Sequence, residues 1–180
     1  MNKTYHTGDR VLILKNFYSI RHNDVVIFQK DHNNMIKRCL GLPGENIEII
    51  NGKIYSNKSL LPNPPSIIHN NIFKKDAFSI SEISHTYGKK WNLNNFGSYL
   101  IPKKGMNILL TSENIVIYGK LIEEDNHNEM PDLKRTYYTF KNNYFFFIGD
   151  NRPESVDSRF FGPIKESDIN GKVILDIFKS

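Results

Sequence analysis

Two separate stretches of the chain contain residue types that could together carry out acyl transfer. Lys37 lies inside the apolar run MIKRCLG. Far along the chain, Ser155, Asp157 and Arg159 stand at alternate positions in the stretch FFFIGDNRPESVDSRFFGPI. A lysine amine that burial keeps neutral can accept the proton of a serine hydroxyl and make that oxygen a nucleophile. These residue types are therefore compatible with serine–lysine catalysis.

Both stretches also have a purely structural interpretation. A lysine at the edge of a sheet can lay its stem on apolar neighbours and extend its amine into water, and lysine is seldom fully buried. Asp157 and Arg159 could likewise form an exposed ion pair, which contributes little to stability. The residues by themselves leave these alternatives open.

The strand that contains Lys37 determines which side chains share its face. Because side chains alternate along an extended strand, we expect Lys37 and Cys39 on one face and Arg38 on the other. A role as general base requires that burial lower the pKa of Lys37 from about 10.4 to roughly 7–8. Cys39 is interpreted as a small buried apolar residue, the usual role of a lone cysteine.

The cysteine and histidine content limits the other chemistry that the chain could support. Cys39 is the only cysteine, which excludes an internal disulfide. None of the six histidines has the spacing of a zinc site. We therefore expect neither a metal nor a cofactor.

The elements that must position these residues are predicted to be strands. Short β-branched and aromatic runs between polar residues indicate a mainly β protein with antiparallel pairing. The predicted strands are residues 10–15, 24–29, 46–52, 53–57, 107–112, 114–119, 136–141, 144–149 and 172–178. Asn51-Gly52 predicts a tight hairpin turn, and helix is indicated only weakly, around residues 76–84 and 165–169.

The middle of the chain differs in composition from its ends. Residues 61–71, LPNPPSIIHNN, predict a loop that leaves the sheet. The sequence stays polar and irregular to about residue 135. This pattern predicts a β core made of residues 1–60 and 136–180, with an inserted β-rich and irregular subdomain at residues 61–135.

The charge of the chain permits an anionic partner without specifying one. The net charge is +5 and the isoelectric point is near 9.2, which would suit a membrane surface. No block of like charges indicates a nucleic-acid-binding arm, so nucleic acid is not an expected partner. No apolar run reaches the length of a membrane span and the N-terminus lacks a signal-peptide pattern, so the chain as it stands is expected to be soluble.

Three segments resemble signature motifs of bacterial type I signal peptidases, and they occur in the family's order. Residues 149–162, GDNRPESVDSRFFG, resemble one motif. Residues 36–55, IKRCLGLPGENIEIINGKIY, resemble the catalytic-lysine motif, in which Lys-Arg precedes a Gly-x-Pro-Gly-Asp/Glu turn. Residues 8–15, GDRVLILK, resemble the segment that follows the nucleophile.

The resemblance implies a fold, an activity and a location. The implied fold is the antiparallel β core of the signal-peptidase and LexA-type serine–lysine peptidases, with an inserted subdomain. The implied activity is that of a serine endopeptidase, which uses a serine–lysine dyad to cleave signal peptides from exported preproteins. The implied location is the cytoplasmic membrane, with the active domain on the extracytoplasmic face and in contact with the membrane surface.

The resemblance also implies roles for individual residues. Lys37 corresponds to the general base, and Ser155 corresponds to the serine whose hydroxyl orients that lysine. The residues that correspond to structural support of the site are Asp150, Arg152, Asp157 and Arg159. A serine suits its role because its hydroxyl both donates and accepts hydrogen bonds.

The nucleophile is expected outside this chain. In the family it belongs to a Ser-Met-x-Pro-Thr-Leu motif, in which Met1 corresponds to the methionine, Lys3 to the proline and Thr4 to the threonine. The reactive serine would then stand directly before Met1, and the chain alone is expected to be inactive. Lys3 and Tyr5 depart from the usual proline and leucine.

Several alternatives explain a missing nucleophile. In the first, the chain is a fragment or its start has been assigned to an internal methionine. In the second, it is a catalytically dead paralogue that serves as a peptide-binding or membrane-complex module. A substitute nucleophile is a third alternative, but Cys39 follows Lys37 on the same strand and would point alongside it.

A LexA-type self-cleaving repressor would need a DNA-binding domain and an internal scissile site, and neither is visible. The aromatic residues Trp91, Phe96 and Tyr99 could rest on lipid, although core packing is expected for each.

Overall fold

The computed structural model describes residues 4–5, 8–15, 19–64, 67, 77–127, 129 and 136–178. The strands are β1 (Arg10–Leu14), β2 (Val25–Lys30), β3 (Asn33–Gly41), β4 (Asn46–Ile50), β5 (Lys53–Ser56), β6 (Ser59–Leu60), β7 (Phe96–Leu100), β8 (Asn107–Leu109), β9 (Tyr137–Thr139), β10 (Tyr144–Ile148), β11 (Ile164–Lys165) and β12 (Ile169–Phe178). The helices are α1 (Ala77–Tyr87), α2 (Ser112–Asp125) and α3 (Ser158–Phe161), with a 3₁₀ turn at Glu166–Asp168. The prediction of a mainly antiparallel β protein is confirmed.

The largest sheet of the described residues brings the two ends of the chain together. Its six strands follow the order β1-β12-β2-β3-β10-β11, and all neighbours are antiparallel. Strand β3 is an interior strand, because it pairs with β2 on one side and with β10 on the other. Lys37 pairs with Val26 of β2, whereas the pairing of β3 with β10 reaches only to Arg38. Lys37 therefore lies just beyond the last paired residue on the β10 side, and the edge-lysine alternative stays open.

A second sheet has the strand order β6-β5-β4-β7, and β8 pairs with β9 in a two-stranded sheet. Asn51 and Gly52 connect β4 to β5 with positive φ angles of 49° and 77°. Both residue types adopt the left-handed region that a two-residue hairpin requires. The hairpin prediction is confirmed.

Strand β10 is buried on both faces, as the aromatic run predicts. Phe145 and Phe147 pack into a cluster with residues of β2 and β3, and the rings of Phe28 and Phe147 stack with centroids 4.9 Å apart. Phe146 and Ile148 point into the larger core on the other side. The strand thereby fixes the loop that follows it against two packed cores.

Two predicted strands in the middle of the chain need correction. Residues 114–119 were predicted to form a strand, but they lie within helix α2. The Thr111 hydroxyl caps that helix by accepting a hydrogen bond from the Asn114 N–H at 3.1 Å. Helix α2 buries Tyr118, Leu121, Ile122 and Asp125, which share one helical face. This periodicity and the cap outweigh the β-branched run. The strand predicted at residues 107–112 ends at Leu109.

Helix α2 is held by a buried carboxylate at its last residue. Asp125 accepts hydrogen bonds at 2.7 Å from the Tyr138 hydroxyl, the Lys141 N–H, the Asn142 amide and the Tyr144 hydroxyl. Burial alone would raise the pKa of Asp125, but these donors outweigh it and the pKa lies below its ordinary value. The carboxylate therefore joins α2 to β10 and to the end of β9.

Three further features bear on the sequence predictions. Phe96 and Tyr99 are fully buried, and Trp91 packs on Phe96 with ring centroids 4.6 Å apart, so core packing is confirmed for these aromatic residues. The β4–β7 and β8–β9 pairings connect the predicted insertion to the predicted core, and the division into two parts stays a prediction. Of the helices among the described residues, none has the length and apolar character needed to cross a membrane.

Candidate active site

Lys37 and Ser155 meet at Gly149, the first residue after β10. A Cβ atom placed on Gly149 would lie 2.1 Å from the Ser155 Oγ and 3.5 Å from the Lys37 Cδ. The first distance is far inside van der Waals contact, so any side chain at position 149 would displace the serine. The absence of a side chain there lets the lysine stem and the serine hydroxyl approach the same point.

The environment of Lys37 favours a neutral amine. Burial lowers the pKa of Lys37 below its ordinary value, and the Arg159 guanidinium lowers it further. The carboxylates of Asp157 and Asp150 oppose this shift without cancelling it. Lys37 forms no ion pair or hydrogen bond with any residue that the structure describes.

Ser155 is the second reactive group at this point. Its side chain is buried, with 6% of the residue exposed. The Oγ lies beside the Asp157 carboxylate, and its proximity helps to lower the pKa of Asp157, but within the described part of the chain it makes no hydrogen bond of regular geometry. A buried hydroxyl without a regular partner is uncommon, and the Lys37 stem reaches the same point at Gly149.

Asp157 and Arg159 form a fully buried ion pair. Asp157 is 0% exposed and Arg159 is 1% exposed, which excludes the exposed-pair alternative. The Arg159 Nε donates to Asp157 Oδ1 at 2.8 Å, and its Nη2 donates to Oδ2 at 2.7 Å. Burial would raise the pKa of Asp157, but the Arg159 charge and hydrogen bonds outweigh it and the pKa is lowered. The carboxylate is therefore ionised at neutral pH.

The same ion pair shapes the loop around Ser155. Asp157 Oδ2 also accepts from the Gly149 N–H at 3.1 Å, and Asp157 caps helix α3 by accepting from the Arg159 N–H. The Arg159 Nη2 donates to the Arg152 carbonyl at 2.9 Å. The pair thus connects the start, middle and end of the loop, so its charge-assisted bonds limit where Ser155 can lie.

Asp150 pairs with Arg38, a partner that the motif comparison did not supply. The Arg38 Nε and Nη2 donate to the two carboxylate oxygens of Asp150 at 2.8 and 2.7 Å. The Arg38 Nη1 donates to the Asn23 carbonyl at 2.7 Å. Strand alternation places Arg38 on the face opposite Lys37. This alternation was the signal in the sequence that Arg38 has a role separate from that of Lys37.

Arg152 lies in the same loop but has a weaker set of partners. It is buried, and burial together with the nearby Arg159 charge lowers the pKa of Arg152 to about 10. Its Nη2 donates to the Asn63 side-chain oxygen at 3.2 Å, while its Nε has no partner among the described residues. Arg152 therefore connects the loop to the segment that follows β6.

Comparisons with known proteins show the family of the chain. The family model described as "Signal peptidase, peptidase S26" matches residues 1–178. The chain belongs to this signal peptidase family. Type I signal peptidases are membrane-associated serine endopeptidases that act on the signal peptides of preproteins.

Relatives of this signal peptidase come from several bacteria. Signal peptidase I V of Bacillus subtilis is 30% identical over 177 residues, covering 96% of this chain and 77% of the relative. Signal peptidase I of Buchnera aphidicola subsp. Baizongia pistaciae is 27% identical, covering 97% of this chain and 65% of the relative. A crystal structure of a signal peptidase I from Enterococcus faecalis covers 88% of this chain and all of that chain, with 21% identity and a TM-score of 0.46.

The signal peptidase motif that should carry the nucleophile is only partly visible. Residues 1–3 lie outside the described residues, whereas Thr4 and Tyr5 are described. In the described part of the chain, no three histidine, cysteine or acidic residues lie close enough together to hold a metal ion. Cys39 is fully buried in the cluster with Phe147, and burial raises the pKa of its thiol, which fits an apolar residue rather than a nucleophile.

Proposed function

We propose that this chain is the peptidase domain of a type I signal peptidase and that it works at the extracytoplasmic face of the cytoplasmic membrane. Its substrates are the signal peptides of exported preproteins. The observation that carries the proposal is the approach of a desolvated lysine, Lys37, and a buried hydroxyl, Ser155, at the side-chain-free position of Gly149.

In the proposed reaction the nucleophile is a serine directly before Met1, as the resemblance to the Ser-Met-x-Pro-Thr-Leu motif implies. The neutral amine of Lys37 accepts the proton of that serine while the serine oxygen attacks the scissile carbonyl. Lys37 then delivers the proton to the leaving amine, and water hydrolyses the acyl-enzyme. The Ser155 hydroxyl accepts a hydrogen bond from the lysine amine or donates one to it. Either bond holds the lysine side chain in one rotamer.

The substrate binds as an extended strand in this proposal. Backbone hydrogen bonds supply affinity, and pockets for alternate side chains supply specificity. The resemblance to the family implies small residues at the −1 and −3 positions of the signal peptide. The Asp157–Arg159 and Asp150–Arg38 pairs keep the catalytic loop rigid around the reacting groups.

The direct test compares three purified proteins on a synthetic signal peptide with alanine at −1 and −3. We expect cleavage by a form that carries a serine directly before Met1, and no cleavage by the chain that begins at Met1. A form with alanine in place of that serine should also be inactive. Cleavage by the alanine form would refute the nucleophile assignment, and peptide binding without cleavage by the serine form would favour the non-catalytic module.

A second prediction concerns Ser155. In the serine-carrying form, Ser155→Ala should lower kcat by about 10²-fold, the lower end of the range for general acid–base catalysis, because Lys37 loses its orienting partner but not its basicity. Removing a hydroxyl without a regular partner should leave the Tm unchanged or slightly higher.

Ser56 offers a matched control for Ser155. Its side chain is also buried, with 4% of the residue exposed and an Oγ without a partner in the described residues, but it lies in β5 of the second sheet. Ser56→Ala should leave kcat unchanged. An equal loss of activity in both variants would show that the effect of Ser155→Ala is not specific to the lysine.

A further inference from the structure

Two consecutive residues near the N-terminus contact carboxylates at two separate places, one in the loop after β10 and one on β12. The Thr4 hydroxyl donates to Asp150 Oδ2 at 2.6 Å, across 146 positions of the sequence. The Tyr5 hydroxyl lies close enough to the Asp176 carboxylate on β12 for that carboxylate to raise the pKa of Tyr5. These are long-range contacts, so they fix this short segment relative to the sheet rather than to its own neighbours.

The Thr4 contact leads directly to the strand that carries Lys37. Asp150 is the carboxylate that Arg38 holds with two hydrogen bonds, and Arg38 follows Lys37 on β3. Burial would raise the pKa of Asp150, but the donors Arg38 and Thr4 outweigh it and the pKa is lowered. The carboxylate therefore remains an acceptor at neutral pH, and the Thr4 hydroxyl must be the donor.

We propose that Thr4 is a positioning residue, whose hydroxyl sets the distance between the nucleophile segment and the general base. The inference rests on the proposed function, in which the nucleophile stands directly before Met1. Four residues span at most about 14 Å, so the reacting oxygen must lie within that distance of the point where Thr4 is held. A misplacement of about 1 Å at reacting atoms can cost about 10²-fold in rate.

Tyr5 supplies a second tether, on the other side of the same segment. The usual residue of the family at this position is leucine, which cannot form the bond to Asp176. Burial and the Asp176 carboxylate raise the pKa of Tyr5 to about 12. The phenol therefore keeps its proton at neutral pH, so its O–H can donate a hydrogen bond to Asp176. With both hydroxyls in place the segment is held at two points, which limits its rotation as well as its translation.

The structure allows the hydroxyl of Thr4 to be removed without removing the fold. Thr4→Val is nearly isosteric, and Asp150 keeps both hydrogen bonds from Arg38. Thr4→Ser restores the donor. Thr139→Val is the matched control, because the Thr139 hydroxyl also donates to a side-chain oxygen, that of Asn107 at 2.6 Å, but on the remote strand β9.

The test uses the serine-carrying form and two measurements. Thr4→Val should lower kcat by about 10²-fold with little change in KM, Thr4→Ser should restore most of the rate, and Thr139→Val should behave as wild type. Hydrogen–deuterium exchange of the N-terminal peptide should be about tenfold faster in Thr4→Val than in Thr4→Ser, and Tyr5→Phe should also accelerate it.

The outcomes separate this inference from the proposed function. Equal kcat values for Thr4→Val and Thr4→Ser would overturn the positioning role, as would a rate loss that Thr139→Val shares. If the wild-type serine-carrying form cleaves nothing, the proposed function fails and the positioning role fails with it. The exchange measurement then still shows whether Thr4 holds the segment, because exchange does not depend on catalysis.

Discussion

Lys37→Met in the serine-carrying form is expected to abolish cleavage of the signal peptide, with a loss in kcat of about 10⁴-fold, the upper end for general acid–base catalysis. Methionine keeps most of the unbranched stem that lies near Gly149 but has no group that can accept a proton. The reactive serine would then keep its proton at neutral pH. Kinetics with the synthetic peptide measure this directly.

The same variant should not lose stability. Because the pKa of Lys37 is lower in the folded state than its ordinary value of about 10.4, the unfolded chain binds the proton more tightly. The charged amine therefore destabilises the fold most at and below the folded pKa, and this cost disappears as pH rises toward the ordinary value. We expect the Tm of Lys37→Met at pH 7 to equal or exceed that of wild type.

The pH profile supplies a further check on Lys37. In the wild-type serine-carrying form, kcat/KM should rise with pH as Lys37 loses its proton, with a midpoint below about 10.4. Lys53→Met is the control, because Lys53 is an exposed lysine on strand β5. If Lys37→Met retains more than a tenth of the activity, or loses it only through unfolding, Lys37 is not the base.

The sequence predicted the local elements of this fold better than its long-range contacts. The Asn51-Gly52 hairpin and the buried strand β10 each depend on a few adjacent residues, and both are present. Helix α2 was missed because its run of β-branched residues favours a strand locally. The Thr111 cap and the helical spacing of the buried residues outweigh that preference, and the four donors to Asp125, which come from distant parts of the sequence, hold the end of the helix in place.

The candidate site shows the same limit. Motif resemblance selected Lys37 and Ser155, but only the three-dimensional arrangement shows that both approach the point left empty by Gly149. The Arg38–Asp150 pair spans 112 positions of the sequence, and no local pattern connects residues at that separation. The Thr4 hydrogen bond to Asp150 was missed for the same reason.

Whether Asp157 and Arg159 form an exposed or a buried pair could not be decided from their spacing. Residues two positions apart can form either. The burial depends on elements distant in sequence, because the Tyr87 hydroxyl of α1 donates to the Ser158 carbonyl at 2.7 Å and the Arg159 Nη1 donates to the Leu93 carbonyl at 3.4 Å. Helix α1 and the segment before β7 therefore close over the ion pair.

Arg159→Met is expected to be the most destabilising of the variants considered, with a loss of about 3–5 kcal/mol in the free energy of unfolding at pH 7.5. Removing the guanidinium leaves the Asp157 carboxylate buried with its charge unpaired. Asp157→Asn/Arg159→Met should recover part of the loss, because an amide carries no charge into the core. Urea denaturation of the three proteins gives the comparison, and Lys89→Met, which breaks the exposed pair with Glu113, should change little.

The pH dependence of this destabilisation identifies its cause. In wild type the Arg159 charge holds the pKa of Asp157 below its ordinary value, so the pair contributes its stability above about pH 4 and loses it as pH falls further. In Arg159→Met burial acts without the cation and raises the pKa of Asp157 above the unfolded value. The carboxylate then takes up a proton as pH falls, and the difference in stability from wild type should shrink between pH 7.5 and pH 4.5.

The double variant has no carboxylate at position 157 to protonate, so between the same two pH values its own stability should follow that of wild type. A gap between Arg159→Met and wild type that stays constant with pH would mean that lost packing, rather than a stranded charge, causes the destabilisation.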